Sequence, residues 1–311
     1  MRIADIDLGD KPLFLAPMED VTDPSFRYVC KRFGADMVYT EFISSDGLIR
    51  DAAKSVAKLR TYDYERPVGI QLYGNEIEPM VEAARVAEAA RPDLIDINFG
   101  CPVRKIAARG AGSGMMRDVP KMVEMTRRIV QAVRKPVTVK TRLGFDEGEF
   151  TAVEFCRRME GEGAAAITLH GRTRAQGYSG LADRDKIATV KEAVDIPLIG
   201  NGDVNAATVD DMLSRTDAAA VGRAAVGNPY IFAQILGKPV RESVRDLVLR
   251  HIELSYRYYG DRYTFVNIRK HLGAYLGGVR GGKEIRIKLF SATSVEELVE
   301  LVKLYFPSDE R

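Results

Sequence analysis

The chain has 311 residues, 46% hydrophobic and 29% charged, with a formal net charge of +2, the composition of a globular protein with a sizeable core in one large domain, or one plus a smaller one. The opening MRIADIDLGD is polar, and no run nears the roughly 18 apolar residues of a membrane span, so a membrane role is excluded and a cytoplasmic location expected. Three widely spaced cysteines and three scattered histidines argue against a disulfide framework and a zinc site, and no metal is expected.

Short apolar runs then recur along the chain. They are LFLAP (13–17), MVYT (37–40), VGIQLY (68–73), LIDINFG (94–100), VTVKTR (137–142), AITLHGR (166–172), PLIGNG (197–202) and AAAVGR (218–223). Helical patterns such as IEPMVEAARVAEAA and DVPKMVEMTRRIVQAV lie between them. Eight strand–helix units in this length predict a (β/α)8 barrel. A doubly wound sheet is the alternative, but it usually carries G-x-G-x-x-G after the first strand, where this chain reads APMED. Beyond Gly237 the strand signals stop, and helical runs follow, separated by a GGVRGG loop. The expected organisation is a TIM barrel over 1–237 and a small all-helical domain over 238–311. Cys30 and Cys156 fall on helical patterns and read as core residues.

Side chains alternate along a strand, and active sites of such barrels form at the carboxyl ends of the strands. In LIDIN, Asp96 and Asn98 point inward. In VTVKTR, Thr138, Lys140 and Arg142 do so; in ITLHGR, Thr168 and His170; and Asn201 ends the seventh strand. Polar groups from four strands converging on one mouth favour a ligand site over a set of buried ion pairs. Cys101 sits on a turn between Gly100 and Pro102, where a thiol is placed for chemistry. Asn201-Gly202-Asp203 after the seventh strand and Gly222-Arg223 after the eighth suit a cofactor phosphate. The Lys140 cation suits the charge that develops on a reduced flavin. Gln71 is placed for the flavin's pyrimidine edge, and the Ala16-Pro17-Met18 backbone for the side of its ring.

From Arg257 to Lys288, eight Lys/Arg face two acids, a local charge of +6. Taken alone, that is the solvated face of a helical domain.

Taken in order, APMEDVTDPSFR (16–27), QLYG (71–74), INFGCP (97–102), AGSGMMRD (111–118), VKTRLG (139–144), LHGRTR (169–174), NGD (201–203) and VGRAAVGNP (221–229) resemble the tRNA-dihydrouridine synthases. The helical part, with IRKH (268–271), resembles that family's RNA-binding domain. The resemblance implies FMN as cofactor and NADPH, or NADH, as reductant. It implies that hydride from flavin N5 reaches C6 of a uracil in tRNA while Cys101 protonates C5. It places Asn98, Arg142 and Tyr178 on the uracil. Arg104, Lys105 and Arg109, with Arg269, Lys270, Arg280, Lys283, Arg286 and Lys288, become candidates for RNA phosphates. A monomer is expected. Asp20, GSGMM and Arg184 depart from the usual pattern. A flavin enzyme of dihydroorotate dehydrogenase type is the alternative function, and a non-catalytic RNA-binding protein a further one.

Overall fold

The computed structural model describes residues 1–279, 281–306 and 308, with the backbone alone at 261–263, 265 and 266. Arg280 therefore lies outside the described residues.

The chain opens with a hairpin, β1 (Arg2–Ile3) against β2 (Ile6–Asp7). Nine strands follow: β3 (Leu13–Leu15), β4 (Val38–Tyr39), β5 (Ile43–Ser44), β6 (Val68–Tyr73), β7 (Leu94–Asn98), β8 (Val137–Arg142), β9 (Ala166–His170), β10 (Leu198–Asn201) and β11 (Ala218–Val221). All pair in parallel, in the order β3-β11-β10-β9-β8-β7-β6-β4, and β5 extends the edge at the far end of β6. A bridge between Phe14 and Met37, with Leu15 N–H donating to Met37 O at 2.8 Å, joins the first strand to the second and closes the barrel.

Alternation sorts the side chains into two layers. Ile95, Ile97, Val139, Ile167 and Leu169 face outward and join a core shared with the surrounding helices. Phe14, Met37, Leu94, Ala166, Ile199 and Ala218 form a small inner core at the strand starts, where Ile3 and Leu8 of the opening hairpin pack against them. At the carboxyl ends the interior is polar. Register there puts Asn98 beside Lys140, Arg142 beside His170, and His170 beside Asn201. A slip of one residue would turn all of these to the outer face.

The C-terminal part is helical. Its long helix, Val244–Tyr275, is broken at Gly260, whose φ of 68° and ψ of −179° suit a residue without a Cβ. Helices Gly282–Ser291 and Val295–Tyr305 complete it. Leu247, Val248, Leu272, Leu298 and Val302 form its core, joined by Val29 and Tyr230 from the barrel side. It docks on the first barrel helix, Pro24–Arg32. Arg32 pairs with Glu242 at 2.7 Å, and Phe26 stacks on His251.

Candidate active site

Strand β7 ends at Asn98 for a local reason. Its Oδ1 accepts the N–H groups of Gly100 at 3.0 Å and Cys101 at 2.9 Å, an Asx turn that swings the chain off the sheet. Two further groups hold the turn. Arg142 Nε donates to Gly100 O at 2.7 Å, and Ser113 Oγ donates to Cys101 O at 2.7 Å. Cys101 is 7% exposed. Burial pushes its thiol above the usual range, while the Val103 N–H and the cations Arg142 and Lys140 pull the other way. The sulfur is therefore a protonated acid at neutral pH.

Cys101 lines a cavity of about 710 Å³ at the barrel mouth, large enough for a cofactor-sized ligand. Asn98, Lys140, Arg142, His170, Tyr178, Asn201, Gly202, Asp203, Gly222, Arg223 and Ala16, Pro17 and Met18 share its wall. Lys140 Nζ donates to Asn201 Oδ1 at 3.2 Å, and Asn201 Nδ2 donates to Ala220 O at 2.8 Å. Burial, and then the Arg142 charge, bring the Lys140 ammonium down to about 8, still largely protonated at neutral pH. His170 is kept neutral by burial and by the charges of Arg142 and Lys140. Its Nε2 lies 3.2 Å from Arg172 Nη1, which can only donate, so the His170 proton sits on Nδ1. Burial brings Arg142 down to about 10. Its Nη1 reaches the carbonyls of Thr173 and Gly177, which ties the loop after β9 to the loop after β7.

The two glycine turns differ in what they tolerate. Gly202 has φ of 114°, and a Cβ there would meet Ala182 Cβ at 2.7 Å and His170 Cδ2 at 2.9 Å. Gly222 has ordinary room, with Ala16 Cβ at 3.9 Å and Met18 Sδ at 4.0 Å, all on the cavity wall. Asp203 accepts Arg223 Nη2 on one oxygen at 3.1 Å, and Arg172 Nη2 at 2.6 Å and Ala182 N–H at 2.9 Å on the other. Burial opposes the charge, but the Ala182 N–H and Arg172 hold this carboxyl below its usual range. The Tyr178 ring is 55% exposed, with the Arg223 guanidinium at 4.5 Å and that of Arg142 at 5.8 Å.

Gln71 is fully buried and is not part of the cavity wall. Its Nε2 donates to Asp96 Oδ2 at 2.5 Å and its Oε1 accepts from Asn98 Nδ2 at 2.8 Å. Arg104, Lys105 and Arg109 are exposed just after the Cys101 turn. In the helical part, Arg269, Lys270, Lys283, Arg286 and Lys288 are all exposed. Lys270 is also tied to the barrel by a 2.5 Å ion pair with Asp20.

Sequence reasoning did not single out Arg172, and it turned Asp96 inward without giving it a role. Each lies two residues from a chosen residue, Arg172 from His170 and Asp96 from Asn98, and that spacing was the available signal. The expectation of scattered histidines fails for His251 and His271. Their rings lie 4.6 Å apart, and with Asp23 they bring three ligand-type atoms within 4.8 Å of one another. His251 is already engaged, by Tyr275 OH at 3.0 Å and Ser25 Oγ at 3.1 Å. The departures also find their places. Asp20 takes a left-handed φ of 59°, Arg184 pairs with Asp211 at 2.9 Å, and a Cβ at Gly114 would strike Ala107 O at 2.3 Å.

Fold and site together define a closed (β/α)8 barrel with a cationic, glycine-edged pocket and a protonated thiol at its carboxyl mouth. The model of the dihydrouridine synthase (Dus) family matches residues 14–308. A probable tRNA-dihydrouridine synthase of Rhizobium leguminosarum bv. phaseoli is 41% identical over 267 residues, 84% of each chain. The tRNA-dihydrouridine synthase B of Pseudomonas putida is 35% identical over 306 residues, 94% of this chain and 91% of that protein. A morphinone reductase in complex with tetrahydroNAD shares the fold at 14% identity, with a TM-score of 0.51 over 77% of this chain and 91% of its own. The chain belongs to the dihydrouridine synthase family. Among the described residues, no helix is long and apolar enough to cross a membrane.

Proposed function

We propose that the protein reduces the C5–C6 double bond of uridine in tRNA, with FMN as cofactor and NADPH, or NADH, as reductant. The observation that carries this reading is the meeting of a protonated thiol, Cys101, and a fixed cation, Lys140, on one cavity wall. The residues fit a flavin mononucleotide. Lys140 supplies positive charge for the ring, His170 offers Nδ1–H, and the Ala16–Met18 segment supplies a wall. Gln71, expected at the pyrimidine edge, has no exposed surface and supports the pocket through the Asn98 amide instead. Arg223, oriented by Asp203, and the glycine-edged turns at Gly202 and Gly222 suit the phosphate. When bound, reduced FMN supplies the hydride that adds at C6 of the uracil.

The chain's own residues do the rest. Cys101 gives its proton to C5, and burial keeps that proton on sulfur until the ring becomes basic. The thiolate left behind is stabilised by Arg142 and Lys140, then reprotonated by solvent. Asn98 spends three of its hydrogen-bonding positions on the protein, so one Nδ2 hydrogen remains for the uracil. Tyr178, flanked by two guanidiniums, offers a face on which an extruded base can stack. Arg104, Lys105 and Arg109 meet phosphates beside the target nucleotide, and the basic helical part holds the more distant ones. In this reading the protein is a cytoplasmic monomer with a catalytic barrel over 1–237 and an RNA-binding part over 238–311.

The test uses purified protein, tRNA from cells lacking the gene, FMN and NADPH, with dihydrouridine read by mass spectrometry. Dihydrouridine is expected at one or a few positions. Turnover of free orotate or uracil with none in tRNA supports the dihydroorotate dehydrogenase type instead. Binding of tRNA without any reduction supports the binding module.

A further inference from the structure

We infer that Asp96 is a positioning residue for Cys101: its carboxylate sets the amide orientations of Gln71 and then Asn98, and so aims Asn98 Oδ1 at the N–H groups of the Cys101 turn. Neither Asp96 nor Gln71 lines the cavity, so both act through Asn98.

The inference rests on hydrogen-bond polarity. A side-chain amide has two ends of similar size, one donor and one acceptor, and shape alone barely distinguishes them. An ionised carboxylate only accepts. Asp96 is 1% exposed, and both its oxygens are engaged, Oδ1 by Thr138 Oγ1 at 2.6 Å and Oδ2 by Gln71 Nε2 at 2.5 Å. Burial raises its acid to about 6, and the bonds from Gln71 and Thr138 with the Lys140 charge oppose that rise, so it is mostly ionised at neutral pH. Gln71, facing it in register across β6 and β7, must therefore present its NH2. Its Oε1 is then left for Asn98, which must present its own NH2, at 2.8 Å. Only Asn98 Oδ1 remains to take the two N–H groups of Gly100 and Cys101.

Reversing Asn98 would set its NH2 against the two N–H groups of the buried turn and leave them unpaired, and reversing Gln71 would set its NH2 against that of Asn98 and its carbonyl against the Asp96 carboxylate. Fixed polarity at one carboxylate thus reaches the thiol through two amides and no charged intermediary.

The experiment reads amide hydrogen exchange at Gly100 and Cys101 in the full-length protein. Asn98→Asp should loosen the turn, raising exchange at both amides at least tenfold, because a carboxylate at 98 meets Gln71 Oε1 while Asp96 holds Gln71 in place. Adding Asp96→Asn lets Gln71 reverse, and every group is again paired. Exchange should return to within about threefold of the parent. Relief of repulsion between two acids would also rescue, and Gln71→Met separates the cases by removing the hydrogen-bond path and keeping both charges. With Met at 71, Asp96→Asn should no longer rescue. Rescue that survives Gln71→Met, absence of rescue, or an Asn98→Asp variant as protected as the parent overturns the inference. The consequence for turnover rests on Cys101 as proton donor, whereas exchange at these amides does not, so the two ideas fail separately.

Discussion

Lys140 Nζ lies 3.2 Å from Asn201 Oδ1, and the Asn201 amide cannot turn away because its Nδ2 is bonded to Ala220 O. The ammonium is therefore held at one place in the cavity wall. Replacing it should remove charge without moving neighbouring strands. Lys140→Ala is expected to weaken FMN binding tenfold or more, or to slow reduction of the bound flavin by NADPH to that degree. Flavin fluorescence titration and stopped-flow absorbance at the flavin band check it. Because the group titrates at about 8, FMN affinity should also fall between pH 7 and pH 9 in the parent and not in the variant. Equal affinity and reduction rates in parent and variant would remove Lys140 from this role.

For Cys101, the expected behaviour is that of a weak acid, not of a nucleophile. Its weakened acidity predicts slow alkylation by iodoacetamide at pH 7, quickening as pH rises. Cys101→Ala should keep its affinity for tRNA and lose about 10²–10⁴-fold in turnover, the usual weight of general acid catalysis. Single-turnover kinetics and a filter-binding assay separate the two. A variant that still forms dihydrouridine at the parent rate would show that the proton comes from elsewhere.

Much of this site was legible in the sequence because strands broadcast their geometry. Alternation in LIDIN, VTVKTR and ITLHGR fixes which side chains enter the barrel, and Lys140, His170 and Asn201 stand on one wall as that pattern requires. Hydrogen-bond partners are less visible. Asn98 reads as a group facing substrate, yet three of its four hydrogen-bonding positions are spent on the next turn and on Gln71, a matter of rotamer that spacing does not encode. Long-range return is harder still. His251 and His271 are twenty residues apart, about 30 Å along an unbroken helix, and only the break at Gly260 brings their rings to 4.6 Å.

The glycine turns give a paired prediction. Gly202→Ala combines a left-handed backbone with contacts under 3.0 Å to Ala182 and His170, and is expected to cost about 2–4 kcal/mol of stability. Gly222→Ala has φ of −109° and no such contact. Its fold should survive, while the added methyl on the cavity wall weakens FMN binding. Melting temperature and flavin titration distinguish the two. Equal loss of stability in both would contradict the difference in backbone and packing.

On the basic face, Lys283 is exposed with no ion-pair partner among the described residues, while Lys270 holds Asp20. Each phosphate contact contributes about 0.7–0.9 to the slope of log affinity against log salt. Lys283→Ala should lower the magnitude of that slope for tRNA by about this amount and leave the melting temperature unchanged. Lys270→Ala should change affinity and also lower the melting temperature slightly, because it removes one ion pair between the barrel and the helical part. A Lys283 variant with the parent's slope would take that residue out of the contact.

Acid should loosen the contact between barrel and helical part. His251 and His271 are buried between Phe26, Ser25 and Tyr275, with Asp23 and Lys270 the nearby charged groups. Burial, and then the Lys270 charge, bring His271 down to about 3, and burial keeps His251 well below its usual value. Both stay neutral in the native state at pH 5, whereas the unfolded chain binds protons there below about 6.5. The unfolded state holds more protons, so stability falls as pH drops through the window from 6.5 to about 3. At pH 5 the loss from His271 alone is about 2 kcal/mol, and His251 adds to it in the same direction. Asp96, raised to about 6, works the other way, since its native form takes up a proton before the unfolded form does. That opposing effect is common to parent and variant, so the difference between them isolates the histidine. Calorimetric melting at pH 7 and pH 5 should show His271→Met losing about 2 kcal/mol less than the parent over that interval. An equal pH dependence in both would mean that His271 is protonated, or reaches water, in the native protein.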